Sequence, residues 1–208
     1  MIFKKSFKRY ALEFYNRNKY HVLLSLVIFV TFLILSYFYP SFFNNLMHPA
    51  MTNMRKGVSN GTIILDHTAL FTNNFSVALN IYTSGIFFSI QSVYILIYNA
   101  LLVGYTGAHM KFLSFIAYTL PHGIFELTGI IISGAASLRL TQAILTLIKG
   151  FVVKSDDRKN TISQHIDLSF KIIVDSLILM LIVLVLLFVA GYIEANLTVS
   201  IGKALTGH

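Results

Sequence analysis

Apolar residues run through this chain in blocks, and the polar residues are pushed to the seams between them. No Lys, Arg, Asp or Glu occurs between Lys19 and Arg55, between Asp66 and Lys111, or between Asp175 and Glu194. His21 to Tyr39 is long enough to cross a hydrocarbon core of ~30 Å at ~1.5 Å per residue. This first transmembrane helix (21–39) has Tyr20 at one end and Tyr37 and Tyr39 at the other, as an interfacial belt requires, with Pro40 just past it. Its apolar run is too long for a secretory leader, and no small-residue cleavage pattern follows. Residues 75–104 form the second apolar block, too long for one perpendicular span and expected to begin as an interfacial helix and turn in near Gly85; 105–148 form the third and 168–192 the last.

The seams read differently. Residues 1–20 interleave Lys4, Lys5, Lys8, Arg9, Arg17 and Lys19 with Phe3, Phe7, Tyr10 and Phe14 at helical spacing. They fit either an amphipathic helix on the inner leaflet or a solvated basic arm that fixes orientation. Residues 40–73, punctuated by Pro49, Gly57 and Gly61, read as an external loop. Residues 149–167 are charged and read as a cytoplasmic loop, with Thr161 to Gln164 as a capping box for the last span. There, Lys171 and Asp175 lie one turn apart and are expected to pair. Residues 193–208 read as an external tail.

Within the third block, Pro121-His122-Gly123 interrupts an otherwise lipid-soluble run. Proline disfavours helix in the residue before it and suits a first helical position. The expectation is therefore a broken helical hairpin at Pro121–Gly123. On its second arm His122 and Glu126 are four apart and share a face. Gly129, Ser133 and Ser137 continue that face as small residues, so Glu126 points to a helix–helix contact rather than lipid, where a charge costs at least ~3 kcal/mol. Ala100, Gly104 and Ala108 make a similar stripe, and such stripes let two backbones approach closely.

Composition agrees with a bilayer. The chain is 56% hydrophobic and 12% charged, about half the charged share of a soluble domain. The net charge of +8 is gathered at residues 1–19 and 149–159, beside apolar runs, so it marks topology and not a nucleic-acid face. With both basic segments in the cytoplasm, the crossings between them must be even in number. The first helix goes out, 85–104 returns, and 105–148 leaves and returns or dips in. The C-terminus is then external. The fold class is all-α, a single polytopic membrane domain (1–208) of four to five spans in the cell membrane. Asn60-Gly61-Thr62, Asn74-Phe75-Ser76 and Asn196-Leu197-Thr198 match the glycosylation pattern, all on the external side.

The chain resembles the stage II sporulation protein M family, formerly domain of unknown function 95. The likeness rests on the basic N-terminus and first span, Asn73-Asn74, the Asn-Ala-Leu-Leu-Val-Gly segment at Asn99–Gly104, and Pro-His-Gly-x-x-Glu at Pro121–Glu126. The family motif usually continues Leu-Pro-Ala, whereas this chain has Leu127-Thr128-Gly129. The resemblance implies a polytopic membrane protein that works in a complex. The member in spore formers acts in engulfment alongside cell-wall-degrading partners.

Fold does not fix function, and the residues leave more than one reading. The absence of cysteine removes thiolate chemistry, and no nucleophile–base pair or phosphate loop is present. That favours a non-enzymatic scaffold or assembly subunit, with the bilayer, protein partners and other copies of itself as its contacts. The alternative is a transporter, exporter or lipid-handling protein built on His122 and Glu126, with Asn73, Asn74, Gln91 and Asn99 in support. No cofactor is expected. A third reading, an intramembrane enzyme with His122 and Glu126 as base or metal ligands, has only a His–Glu pair four apart behind it. Two metal histidines plus an open position would make that case, and His109 is the sole further candidate nearby, so no metal is expected.

Overall fold

Lipid offers no partner to a backbone N–H or C=O, so a membrane chain must satisfy them internally. In the computed structural model, which describes residues 2–61, 66–153 and 157–206, every regular element is helical. The helices are α1 (Ile2–Phe38), α2 (Pro40–Ser59), α3 (His67–Thr83), α4 (Ile90–Ala108), α5 (Phe112–Val152), α6 (Arg158–Ile193) and α7 (Val199–Thr206). Four stretches are long and apolar enough to cross a membrane: Phe7–Phe38, Ile90–Ala108, Phe112–Val152 and Arg158–Thr206. The all-α polytopic membrane fold expected from the sequence is therefore the fold observed. Thr62, Lys154 and Asp156, and the side chains of Phe3, Lys4 and Lys5, lie outside the described residues.

Close contacts fix the direction of each helix. Gly134 of α5 meets both Ser25 of α1 and Leu96 of α4; eight residues further along each, Leu33 of α1 meets Gly104 of α4. So α1 and α4 run side by side in the same direction. α5 runs against them, with Gly107 on Phe115 at one end and Ser89 on Ser137 at the other. α6 is antiparallel to α5 along its length, from Gly150 on His165 to Gly129 on Leu187, and α7 continues the contact with Gly202 on Tyr118. α3 opposes α6, from Phe71 on Gly191 to Tyr82 on Ser176. α5 is the hub against which α1, α3, α4 and α6 pack.

This arrangement moves the hairpin turn. It lies at Ser84–Ser89, between α3 and α4, and not at Pro121–Gly123. Ser84–Phe87 make a 3-10 turn, and Phe88 and Ser89 follow with φ of 59° and 57°. Left-handed backbone at two non-glycine residues costs on the order of 1–3 kcal/mol each. The turn is held by α5: Thr141 Oγ1 donates to the Gly85 carbonyl at 2.8 Å, and Ser89 Oγ lies 2.7 Å from Thr141 Oγ1 and 3.0 Å from Ser137 Oγ. A Cβ on Gly85 would stand 2.5 Å from the Ser137 carbonyl oxygen, so this close approach needs glycine.

α5 runs unbroken through Pro121. A proline inside a helix forfeits one hydrogen bond and costs about 3 kcal/mol. A break would instead orphan up to four N–H and four C=O groups, each costing several kcal/mol in hydrocarbon. Continuing is the cheaper outcome, and the expected broken hairpin over 105–148 is corrected on that ground. Likewise 85–104 does not run against the first helix: α4 is parallel to α1, and α3 is the helix between them that runs the opposite way.

Two further segments differ from expectation. Residues 40–59, read as loop, form α2 straight through Pro49, because Phe43, Met47 and Met51 recur every four residues and pack with Leu101 and Tyr105 of α4. Tyr105 also donates its hydroxyl hydrogen to Asn44 Oδ1 at 2.6 Å. Residues 2–20 are neither a separate interfacial helix nor a loose arm; no proline or glycine interrupts 2–38, and they continue into the first span as α1. The tail from Glu194 is helical too, and the cap of α6 is Asp157, which accepts from Asn160 N at 3.1 Å, rather than Thr161.

Candidate functional site

Both small-residue stripes lie at contacts. Ala100, Ser133 and Ser137 are fully buried, Gly104 lies against the Leu33 backbone, Gly129 packs on Leu187, and Ala108 is half-buried. Backbones brought this close leave little room for polar groups, and the ionisable residues concentrate at two levels of the bundle.

Nearer the N-terminal end of α1, Asp175 of α6 sits 3% exposed between two arginines. Arg17 of α1 donates to both its oxygens, from Nε at 2.7 Å and Nη2 at 2.9 Å. Arg139 of α5, 5% exposed, donates from Nη2 to Oδ2 at 2.7 Å and from Nη1 to Gln142 Oε1 at 2.7 Å. Three helices are thereby tied at one carboxylate. The expected Lys171–Asp175 pair is replaced, because Asp175 turns inward to the arginines while Lys171 is exposed. A cavity of about 470 Å³ opens beside this cluster, lined by Tyr10, Arg17, Arg139, Gln142 and Lys171 among others.

The second level lies about 25 Å further along α5, at ~1.5 Å per residue. There His122 and Glu126 share a face as the spacing requires, with Nε2 3.9 Å from Glu126 Oε2. A third ionisable group joins them. α6 widens into a single π turn at Glu194–Thr198, a distortion frequent at functional positions. It brings Glu194 alongside, so that ligand-capable atoms of His122, Glu126 and Glu194 all lie within 4.8 Å of one another. Thr198 closes the group, with Oγ1 3.1 Å from His122 Nδ1. All three ionisable residues are half-buried.

The supporting residues expected from the sequence do not gather here. Asn73 and Asn74 bond each other on α3 at 3.4 Å, Asn99 donates to the Ile95 carbonyl of its own helix, and Gln91 is exposed beside the Ser84–Ser89 turn. His109 instead lies within 2.8 Å of the Tyr105 carbonyl of its own helix. Glu194 and Thr198 were overlooked because they lie 68 and 76 positions beyond Glu126 and His122. The available signal was the acid itself, Glu194, ending an uncharged run that begins after Asp175.

Comparison with known proteins is consistent with this architecture. The family model of stage II sporulation protein M matches residues 23–199. An uncharacterised protein of Methanocaldococcus jannaschii is 26% identical over 198 residues, covering 91% of this chain and 86% of the relative. No solved structure matches.

Proposed function

The chain belongs to the stage II sporulation protein M family, and from that premise we propose that it is a non-enzymatic scaffold, an assembly subunit of a complex in the cell membrane. The observation that carries this reading is the way the bundle is locked. On one side of α5 the α3–α4 turn is bonded to Ser137 and Thr141; at the N-terminal level Asp175 binds α1 and α5 to α6. Alternating access needs one set of helices to rock against another, and these contacts oppose that. Closely packed helices with apolar outer faces suit a protein that holds others in place. Lys8, Arg9, Arg17 and Lys19 share one end of the bundle with Lys149, Arg158 and Lys159, which by the positive-inside rule puts that end in the cytoplasm and the C-terminus outside. Other subunits or copies would dock from within the bilayer.

A second reading, transport of ions or lipids, is favoured by one observation: three ionisable groups meeting within the membrane-spanning part of the protein. Flux measurements on proteoliposomes, paired with native gels of gently solubilised membranes, separate the two. A scaffold shows no gradient-driven flux and a discrete species larger than the 23.4 kDa chain. Flux that Glu126→Gln abolishes, with the chain running as a monomer, would overturn the scaffold reading.

A further inference from the structure

The hydrogen bonds around His122 determine where its lone pair points. Thr198 Oγ1 donates its single hydrogen to the Ile193 carbonyl at 3.3 Å. With its hydrogen on that carbonyl it offers His122 only lone pairs, and the 3.1 Å contact then runs from Nδ1–H to Oγ1, which is the Nδ1-protonated tautomer. In the neutral ring Nε2 is then unprotonated. That lone pair faces Glu126 Oε2 at 3.9 Å, with the Glu194 carboxylate beside it. In that tautomer, and with both carboxylates ionised, three electron-rich atoms are turned on one another. Among the described residues no Lys or Arg pairs with either carboxylate.

With both carboxylates ionised and the imidazole neutral, the group carries a formal charge of −2 in a half-buried membrane setting, where unpaired charge is strongly disfavoured. A divalent cation would cancel that charge in full. The donor set matches the ion's chemistry: imidazole nitrogen and carboxylate oxygen suit zinc and manganese, whereas magnesium and calcium take oxygen alone. The geometry is close as well. Ligands about 2.1 Å from a tetrahedral ion stand about 3.4 Å apart, and drawing in atoms now within 4.8 Å takes rotamer shifts of a single histidine and two long carboxylate side chains. The bond from Nδ1 to Thr198 is the second-shell contact that metal-bound histidines make, fixing tautomer and ring orientation.

We propose that His122 Nε2, Glu126 and Glu194 form a binding site for a divalent transition metal ion, oriented by Thr198 and with a fourth coordination position open. α5 and the π turn of α6 are clamped together by the ion, which gives the π turn a role. The proposal is independent of the scaffold reading, since a metal can staple a static subunit or occupy a conducting one.

The test uses the full chain in detergent, stripped with chelator and equilibrated at pH 7.5 with zinc or manganese chloride, with bound metal measured by elemental analysis after desalting. A single ion per chain is expected. Glu194→Gln and His122→Ala should lose it, and Thr198→Val should bind roughly tenfold to a hundredfold more weakly. Asp175→Glu, in the other cluster, should bind as the parent does. A parent protein that retains no ion, or a Glu194→Gln protein that retains as much as the parent, would overturn the proposal. The parent measurement decides even if a variant fails to fold.

Discussion

Asp175 with its two arginines and His122 with its two glutamates are polar clusters of similar size, built on the same pair of antiparallel helices. They differ in how their charges close. In the first, the buried charges of Arg139 and Asp175 cancel, both Arg139 terminal nitrogens have an acceptor although its Nε has none, and Arg17 reaches out to partial exposure (its side chain is 42% exposed). In the second, acceptors face acceptors, and its closest ion-pair contact is 3.9 Å. A cluster that is complete in itself is architecture. One whose groups repel without a further positive charge is built to hold something, and burial alone does not separate the two cases.

Breaking the first cluster should have the largest effect. Asp175→Asn leaves Arg139 buried without its counter-ion, and removing one member of a buried pair costs about 3–5 kcal/mol. Chemical unfolding in detergent should show that loss, or the variant should fail to accumulate in membranes. Replacing the pair together, Arg139→Met with Asp175→Leu, should recover most of the stability, since a buried pair exchanged for well-packed apolar groups is often neutral. If the double variant were as unstable as the single, a merely balanced charge pair would not describe the cluster.

Next in size comes Pro121→Ala, which probes the helix carrying the second cluster. Because α5 is continuous, alanine restores a backbone hydrogen bond, and stability should rise by up to about 3 kcal/mol. A broken hairpin would instead be weakened, so the sign of the change discriminates. Gly104→Ala follows. Its Cβ would run into the Leu33 backbone, and forcing α1 and α4 apart should cost about 1–3 kcal/mol.

Much of this was legible in the chain, and what was not has a common cause. Uncharged runs between Lys19 and Arg55 or Asp66 and Lys111 mark membrane helices directly, because a charge in hydrocarbon is expensive. The i, i+4 spacing of His122 and Glu126, and the stripes through Gly104 and Gly129, are local and were readable. Proline misled twice: at Pro121 because its propensity is calibrated where water can take up the orphaned backbone groups of a helix end, which lipid cannot, and at Pro49 because the packing of Phe43, Met47 and Met51 on α4 carries the helix through. A turn near Gly85 was legible from the length of the 75–104 block, but the serine hydroxyls and contact glycine that set it against Ser137 and Thr141 of another segment were not. Arg17 with Asp175, and Glu194 with His122, meet only once the helices are packed. Lys171 was the nearer partner for Asp175 in sequence, but Asp175 is 3% exposed and taken up by two arginines from other helices, while Lys171 stays exposed.

The smallest effect expected is the most discriminating. Without metal, Glu194→Gln should leave unfolding stability within about 1 kcal/mol of the parent, or raise it slightly, since it removes one of two like charges. The direct measurement is unfolding stability of the parent, Asp175→Asn and Glu194→Gln, each with chelator and with zinc. A ligand at a hundredfold its dissociation constant stabilises by about 2.7 kcal/mol. The parent should gain an increment of that order on adding zinc. Asp175→Asn should start much lower and gain the same increment, whereas Glu194→Gln should start level with the parent and gain nothing. Equal gains in the parent and Glu194→Gln, or none in the parent, would contradict the division of the molecule into one closed cluster and one that awaits a cation.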